Sequence, residues 1–264
     1  MKLRYALGSD AGIRHVNEDS VYASPWLLAV ADGMGGHAHG EVASAVVIGV
    51  LAHLRPAEPL PTLAAAVDTV QQRLTDLAAT DPELAGMGST LTALLWTGTG
   101  FGLAHIGDSR GYLLRDDTLR PLTRDHTLVQ SLVDDGRISL AEAESHPRRS
   151  MLMRALQTGG AATPDLSTVD AAVGDRYLLC SDGVTCVVGE DALHHALTTI
   201  GEPADVVAFL IDEAKRRHSP DNISCVVADV VTTAPSRDTE IAGAAATGRP
   251  APNRLSRWTR RLRP

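Results

Sequence analysis

Apolar positions along the chain follow two patterns: short, nearly continuous runs, and longer stretches with helical spacing. Residues 3–9, 25–32, 89–97, 101–106, 111–115, 119–122, 176–180 and 223–230 are of the first kind and predict strands, several of them covered on both faces. Residues 41–54, 63–79, 191–199 and 204–217 repeat apolar side chains every three or four positions and predict helices, the first two separated by a Pro-rich joint. Gly98–Gly100 and Asp116-Asp117 read as hairpin turns. Residues 10–19 read as a polar loop. Residues 125–160 read as a mobile insertion lying over the sheet. Strands and helices come in runs instead of alternating strictly. That predicts an α+β fold with two antiparallel sheets packed together and helices outside.

Composition sharpens this picture. The 264 residues are 44% hydrophobic but only 3% aromatic, so a single domain must build its core from Ala, Val, Leu and Ile. From Thr232 the chain turns to Ala, Thr, Pro, Gly and Arg, which predicts a disordered tail over 232–264. Residues 231–264 carry a balance of +5 within a total of −8, leaving −13 for residues 1–230. An acidic body repels nucleic acid and suits cations. The basic tail end, with Trp258 among arginines, is expected to make at most weak contacts with an anionic membrane or an acidic partner. Cys180, Cys186 and Cys225 form no CxxC pair. With no apolar leader and no run of about 18 apolar residues, they predict a cytoplasmic chain without a transmembrane segment.

Four aspartates share one context. Asp32, Asp108 and Asp182 each end an apolar run, and Asp221 opens one. Carboxylates forced together either take up protons or bind cations, and all-oxygen ligands favour Mg²⁺, Mn²⁺ or Ca²⁺. One aspartate where a strand meets a loop is ordinarily part of a turn; four of them point to a divalent-cation centre. In the loop 14–19, Arg14 offers a planar fork for phosphate oxygens beside Glu18 and Asp19, although such a loop is ordinarily just solvated. A nucleotide-binding module competes, because residues 33–38 fit G-x-G-x-x-A. Against it, Asp32 would aim negative charge at a pyrophosphate, and no second strand ends in an acid at the expected distance, Glu58 lying in the Pro-rich joint.

Taken in order, the motifs resemble the metal-dependent protein phosphatases of type 2C (PPM). They are R-x-x-N-E-D at 14–19, D-G-M-G-G at 32–36, G-S-T-L at 88–91, G-D-S-R at 107–110, L-T-x-D-H at 122–126, S-D-G at 181–183 and D-N at 221–222. The bacterial branch, which is paired with Hanks-type Ser/Thr kinases, looks most similar. The resemblance implies a four-layer α-β-β-α sandwich as a catalytic domain over 1–231, with a flap at about 125–160. It implies hydrolysis of phosphoserine and phosphothreonine in proteins by water activated at two Mn²⁺ or Mg²⁺ ions, without a phosphoenzyme. Kinases and their substrates would be the partners.

Residue by residue, Asp32 resembles the carboxylate bridging both metals, Gly33 a carbonyl ligand, and Asp182 and Asp221 the remaining ligands. Glu18 would act through a water, and Asp108 resembles part of a third metal site. Arg14 looks like the phosphate clamp, with Asp19 and Asn222 supporting the ligands. Catalysis would rest on Arg14, Asp32 and Asp182, and His126, His146 and Arg149 of the flap are candidates to touch substrate, the plainer reading of each being an ordinary mobile surface segment. Met34 stands where animal members place a suspected general-acid histidine, and His37 and His39 read as ordinary polar residues of a Gly-rich loop. A catalytically silent, phosphoprotein-binding relative is the alternative. Such relatives usually lose metal-site acids, and none is lost here.

Overall fold

The computed structural model describes residues 1–35, 39–56, 58–160, 163–233 and 238–247. In chain order the strands are β1 (Lys2–Asp10), β2 (Asp19–Ala23), β3 (Leu27–Met34), β4 (Gly88–Ser89), β5 (Leu91–Trp96), β6 (Gly100–Ile106), β7 (Arg110–Arg115), β8 (Thr118–Pro121), β9 (Leu156–Gln157), β10 (Asp165–Asp170), β11 (Arg176–Cys180), β12 (Ile223–Val231) and β13 (Glu240–Gly243). The helices are α1 (Gly40–Leu51), α2 (Pro59–Thr80), α3 (Leu128–Asp134), α4 (Leu140–Glu144), α5 (Asp182–Thr185), α6 (Glu190–Thr199), α7 (Pro203–Arg216) and α8 (Ala244–Thr247).

One sheet runs β1-β12-β11-β7-β8 and the other β10-β6-β5-β3-β2-β13, with β4 and β9 stitched to the end of β3. All pairings are antiparallel. Because successive side chains on a strand point to opposite faces, each central strand feeds two layers. In β3, Leu28 and Val30 enter the core between the sheets, whereas Leu27, Ala29 and Ala31 meet α1 and α2. In β12, Val226 and Ala228 face inward, and Ile223, Cys225 and Val227 pack under α6 and α7. These three apolar layers make the expected α-β-β-α sandwich. Its core is mainly aliphatic, with Tyr5, Phe101, Tyr112 and Tyr177 as its bulkiest fully buried side chains.

Three segments differ from expectation. β2 follows directly on the loop read at 10–19 and is buried along its whole length, its polar residues Asp19 and Ser20 bonding to Ser181 and Ser44. β10 is a largely exposed edge strand that owes its form to pairing with β6, since its own sequence lacks an apolar period. The disordered tail expected from 232 is corrected over 240–247. There β13 pairs with β2 and α8 packs against α1. Residues 248–264, with Trp258, and His37 lie outside the described residues. The insertion at 125–160 contains two short helices, capped by Thr127 and by a Ser139–Glu142 capping box. Among the described residues no helix is long and apolar enough to cross a membrane.

Candidate active site

The strand ends gather the acids. Asp32 lies near the end of β3, and the β2–β3 register sets Asp19 directly opposite it. Asp182 opens α5 straight after β11, its sheet neighbour β12 starts just beyond Asp221 and Asn222, and Asp108 follows β6. The Asp32 and Asp182 carboxyls lie within hydrogen-bonding reach of each other, which holds Asp182 down against the burial that raises it. The charges of Asp19, Asp182, Asp108 and Asp221 all act on Asp32, which burial first and these neighbours next push well above the usual carboxylate range.

The neighbouring acids show the same physics. Burial raises Asp19 to about 7, against the hydroxyls of Ser224 and Ser181 and with the charges of Asp182 and Asp221. Burial and Asp182 raise Asp108 to about 8, and burial and Asp221 raise Asp182 to about 6. Glu18 is also raised, by burial and then by Glu41.

The glycines after two of these aspartates serve close backbone approach. A Cβ on Gly33 would lie 2.1 Å from the Gly40 carbonyl oxygen, and one on Gly183 1.9 Å from that of Asn222. Gly183 thus lets the Asp182 turn sit directly on the Asp221-Asn222 turn. Gly183→Ala is expected to force the two turns apart, lowering both thermal stability and Mn²⁺ affinity. Differential scanning calorimetry and titration calorimetry would check this, and an unchanged Mn²⁺ isotherm would disprove it.

Hydrogen bonds hold the acids in place. Ser181 Oγ donates to Asp19 Oδ2 at 2.7 Å. Asn222 donates to the carbonyls of Ala11 and Val16, both at 3.0 Å, and its Oδ1 accepts the Glu18 amide at 2.8 Å, so it pins the loop carrying Arg14 and Glu18. Arg14 donates to Pro220 O at 2.8 Å and to Asp221 Oδ2 at 2.9 Å. The Asp32 amide donates to Thr90 Oγ1 at 3.0 Å, and Thr90 Oγ1 in turn pairs with Ser109 Oγ at 2.7 Å. Ser181, Thr90 and Ser109 received no role from sequence reasoning. Their only signal was membership of S-D-G, G-S-T-L and G-D-S-R.

The flap is anchored beside these acids at both ends. β9 pairs with β4, which pairs with Gly33-Met34. At the other end the His126 amide donates to Gly107 O at 2.7 Å, and His126 Nδ1 accepts the Gly107 amide at 3.1 Å. That leaves the ring proton on Nε2, 3.1 Å from Asp165 Oδ2. Arg110 grips Asp125 through both carboxylate oxygens.

His126 is 5% exposed, and its ring holds the flap to Gly107 through Nδ1 and to Asp165 of β10 through Nε2. His146 Nδ1 accepts the Arg148 amide within a local turn, and Arg149 is exposed. No hydrogen bond or ion pair among the described residues ties either to the acids.

Whether the donors suit a cation follows from what they lack. Asp19 Oδ1 and Asp182 Oδ1 are buried with no hydrogen-bond partner. Among the described residues no three acids or histidines stand as a finished ion cage. The chemistry is nonetheless that of a hard-cation site: oxygen donors only, driven toward protonation by burial and one another, with Arg14 and Arg110 offsetting only part of their charge.

A sequence profile described as "Protein phosphatase 2C" matches residues 15–218. The chain belongs to the protein phosphatase 2C family. The serine/threonine protein phosphatase PstP of Mycobacterium tuberculosis is 54% identical over 234 residues, 87% of this chain and 45% of that protein, so the chain spans under half its length. The serine/threonine phosphatase stp of Listeria monocytogenes is 37% identical over 242 residues, 86% of this chain and 95% of that protein. The PstP catalytic domain solved with two manganese ions superposes with a TM-score of 0.82 at 51% identity, covering 87% of this chain and 99% of that one. The phosphatase 2C profile thus spans Asp32, Asp108 and Asp182 and stops just before Asp221, and the solved relative has the same sandwich.

Proposed function

We propose that the chain is a protein-serine/threonine phosphatase that hydrolyses phosphoserine and phosphothreonine with two Mn²⁺ or Mg²⁺ ions. Hanks-type kinases and their substrates would be its phosphorylated partners. The observation that carries this reading is the buried cluster of mutually repelling aspartates with orphaned oxygens at Asp19 and Asp182. Asp32, the Gly33 carbonyl, Asp182 and Asp221 would hold the ions, with Glu18 acting through water and Asp108 contributing to a third position. Divalent cations held there would supply an acidified water and positive charge toward the phosphoryl oxygens.

The chain's own residues do the rest. Arg14 presents its guanidinium fork to the phosphoryl group, exchanging its bond to Asp221 for charge-assisted bonds to phosphate. Asn222 and Asp19 keep the Glu18 loop and the β2 end aligned, so the groups that would hold the ions and the phosphoryl group stay in fixed relation. A reducing cytoplasm is the assumed compartment, in keeping with three free cysteines.

The test is phosphate release from a phosphothreonine peptide with Mn²⁺ or with EDTA. Turnover that needs the cation, and that falls about 100-fold or more in Arg14→Ala as expected for a lost transition-state contact, supports the proposal. A folded protein that binds Mn²⁺ but releases no phosphate from any phosphopeptide would instead be a silent, phosphoprotein-binding relative.

A further inference from the structure

The segment 238–247 lies beyond the residues matched to the family, yet it makes specific contacts with the site. β13 extends the sheet beyond β2, in the register Ile241 to Tyr22 and Gly243 to Ser20. Without it β2, the strand that begins at Asp19, would present a row of unpaired amides and carbonyls. Asp238 O accepts the Tyr5 hydroxyl at 3.1 Å, tying the segment's start to β1. At its other end Gly243 has φ +76, and a Cβ there would lie 2.2 Å from Asp19 O.

From there an ordered relay runs inward. The Ala245 amide donates to Ser20 Oγ at 3.0 Å. Ser20 Oγ and Ser44 Oγ are 2.9 Å apart, and Ser44 Oγ donates to Glu18 O at 2.5 Å. Ser44 has one hydroxyl proton and spends it on Glu18, so Ser20 must donate to Ser44. Glu18 O also accepts the Gly33 amide at 3.1 Å. Both serines are fully buried, so no water competes for these bonds, and each strengthens the next.

We infer that residues 238–247 are a positioning strap for the metal centre: β13 and the Ala245 amide, acting through Ser20 and Ser44, set the Glu18 backbone and with it the Gly33 peptide. The inference rests on the metal-binding reading above.

The test uses full-length variants. Ala245→Pro deletes one N–H within the first turn of α8, where proline is tolerated. Gly243→Ala drives a methyl against Asp19 O. Ile241→Thr, at an exposed position, is the control. Mn²⁺ affinity is read by titration calorimetry and the protection of β2 amides by hydrogen exchange.

Ala245→Pro is expected to weaken Mn²⁺ binding on the order of 10-fold, as losses behind a metal ligand do, while Ile241→Thr binds as wild type. Ser44→Ala should give a similar loss, and the Ala245→Pro/Ser44→Ala double variant should lose no more than either alone, the non-additivity of one shared relay. A strap that served only general stability would instead lower thermal stability with Mn²⁺ affinity unchanged. Equal affinity in wild type, Ala245→Pro and Gly243→Ala, or additive losses in the double variant, overturns the inference. Failure of wild type itself to bind Mn²⁺ overturns the metal-centre reading instead. If Gly243→Ala does not fold, Ala245→Pro and the double variant decide.

Discussion

Asp182→Asn is expected to abolish Mn²⁺-dependent phosphate release and, at the same time, to make the metal-free protein more stable above pH 7. Asp182 faces Asp32, lies in the field of Asp221 and leaves Oδ1 without a partner. Asparagine keeps the shape but removes the charge that would hold a cation. Losing a ligand costs more than losing a residue behind one, so activity should fall by more than about 100-fold.

The stability gain follows from linkage. The folded pKa of Asp182 is raised to about 6, so between its ordinary value and that point the native state binds more protons than the unfolded chain. Its stabilising share is complete at low pH and is lost as pH climbs through about 6; above that the carboxylate burdens the empty site. Relieving it is worth on the order of 1–2 kcal/mol at pH 8. Chemical denaturation in EDTA, paired with phosphate release in Mn²⁺, tests both halves. A metal-free Asp182→Asn protein less stable than wild type at pH 8 would contradict the repulsion argument. Retained turnover would remove Asp182 from the metal site.

The second large effect is a metal-linked stability that grows with pH. Asp19, Asp108 and Asp182 are raised to about 7, 8 and 6, and Asp32 is raised too, so metal-free protein should lose stability as pH rises from about 5 to 8. His105 acts in the opposite sense. Buried between Thr92 and Arg124 O, it is pushed down to about 4, so its contribution is present above about 6.5 and is lost as pH falls toward about 4. The empty protein is therefore squeezed from both sides.

Mn²⁺ replaces the protons on the aspartates, so its stabilisation should be small near pH 5 and large at pH 8, with protons released on binding. A difference on the order of 3 kcal/mol would move the melting temperature by about 6–10 °C for a chain of this size. Thermal scans in EDTA and in Mn²⁺ across pH 5–8, with calorimetry in two buffers of different ionisation enthalpy, measure it. A Mn²⁺ increment independent of pH would show that the aspartates are not the groups being titrated.

Much of this was legible from residue order alone. The period of the apolar positions located β1, β3, β5, β6, β7, β11, β12, α1, α2, α6 and α7, because each buries one or both faces and burial dictates the pattern. The Asp-Gly pairs and the motif series singled out Asp32, Asp108, Asp182 and Asp221 and implied the sandwich. A strand that ends in an acid, and a glycine that must admit another backbone, are local facts written in sequence. His126 marks the limit of such local signals: a histidine beside an aspartate looks alike in sequence whether it faces substrate or fastens a flap.

What only the tertiary structure decided are the partners. β2, β10 and β13 take their form from the strands beside them, and an edge strand needs no apolar period of its own. The relay from Ala245 through Ser20 and Ser44 to Glu18 joins residues separated by up to 225 positions at its first bond, and nothing in the spacing of three small residues announces it. Sequence determined which groups carry charge and which faces are apolar. The fold determined which charges are forced together, because burial and approach are properties of the packed chain, and it is that approach that turns ordinary aspartates into a site for cations.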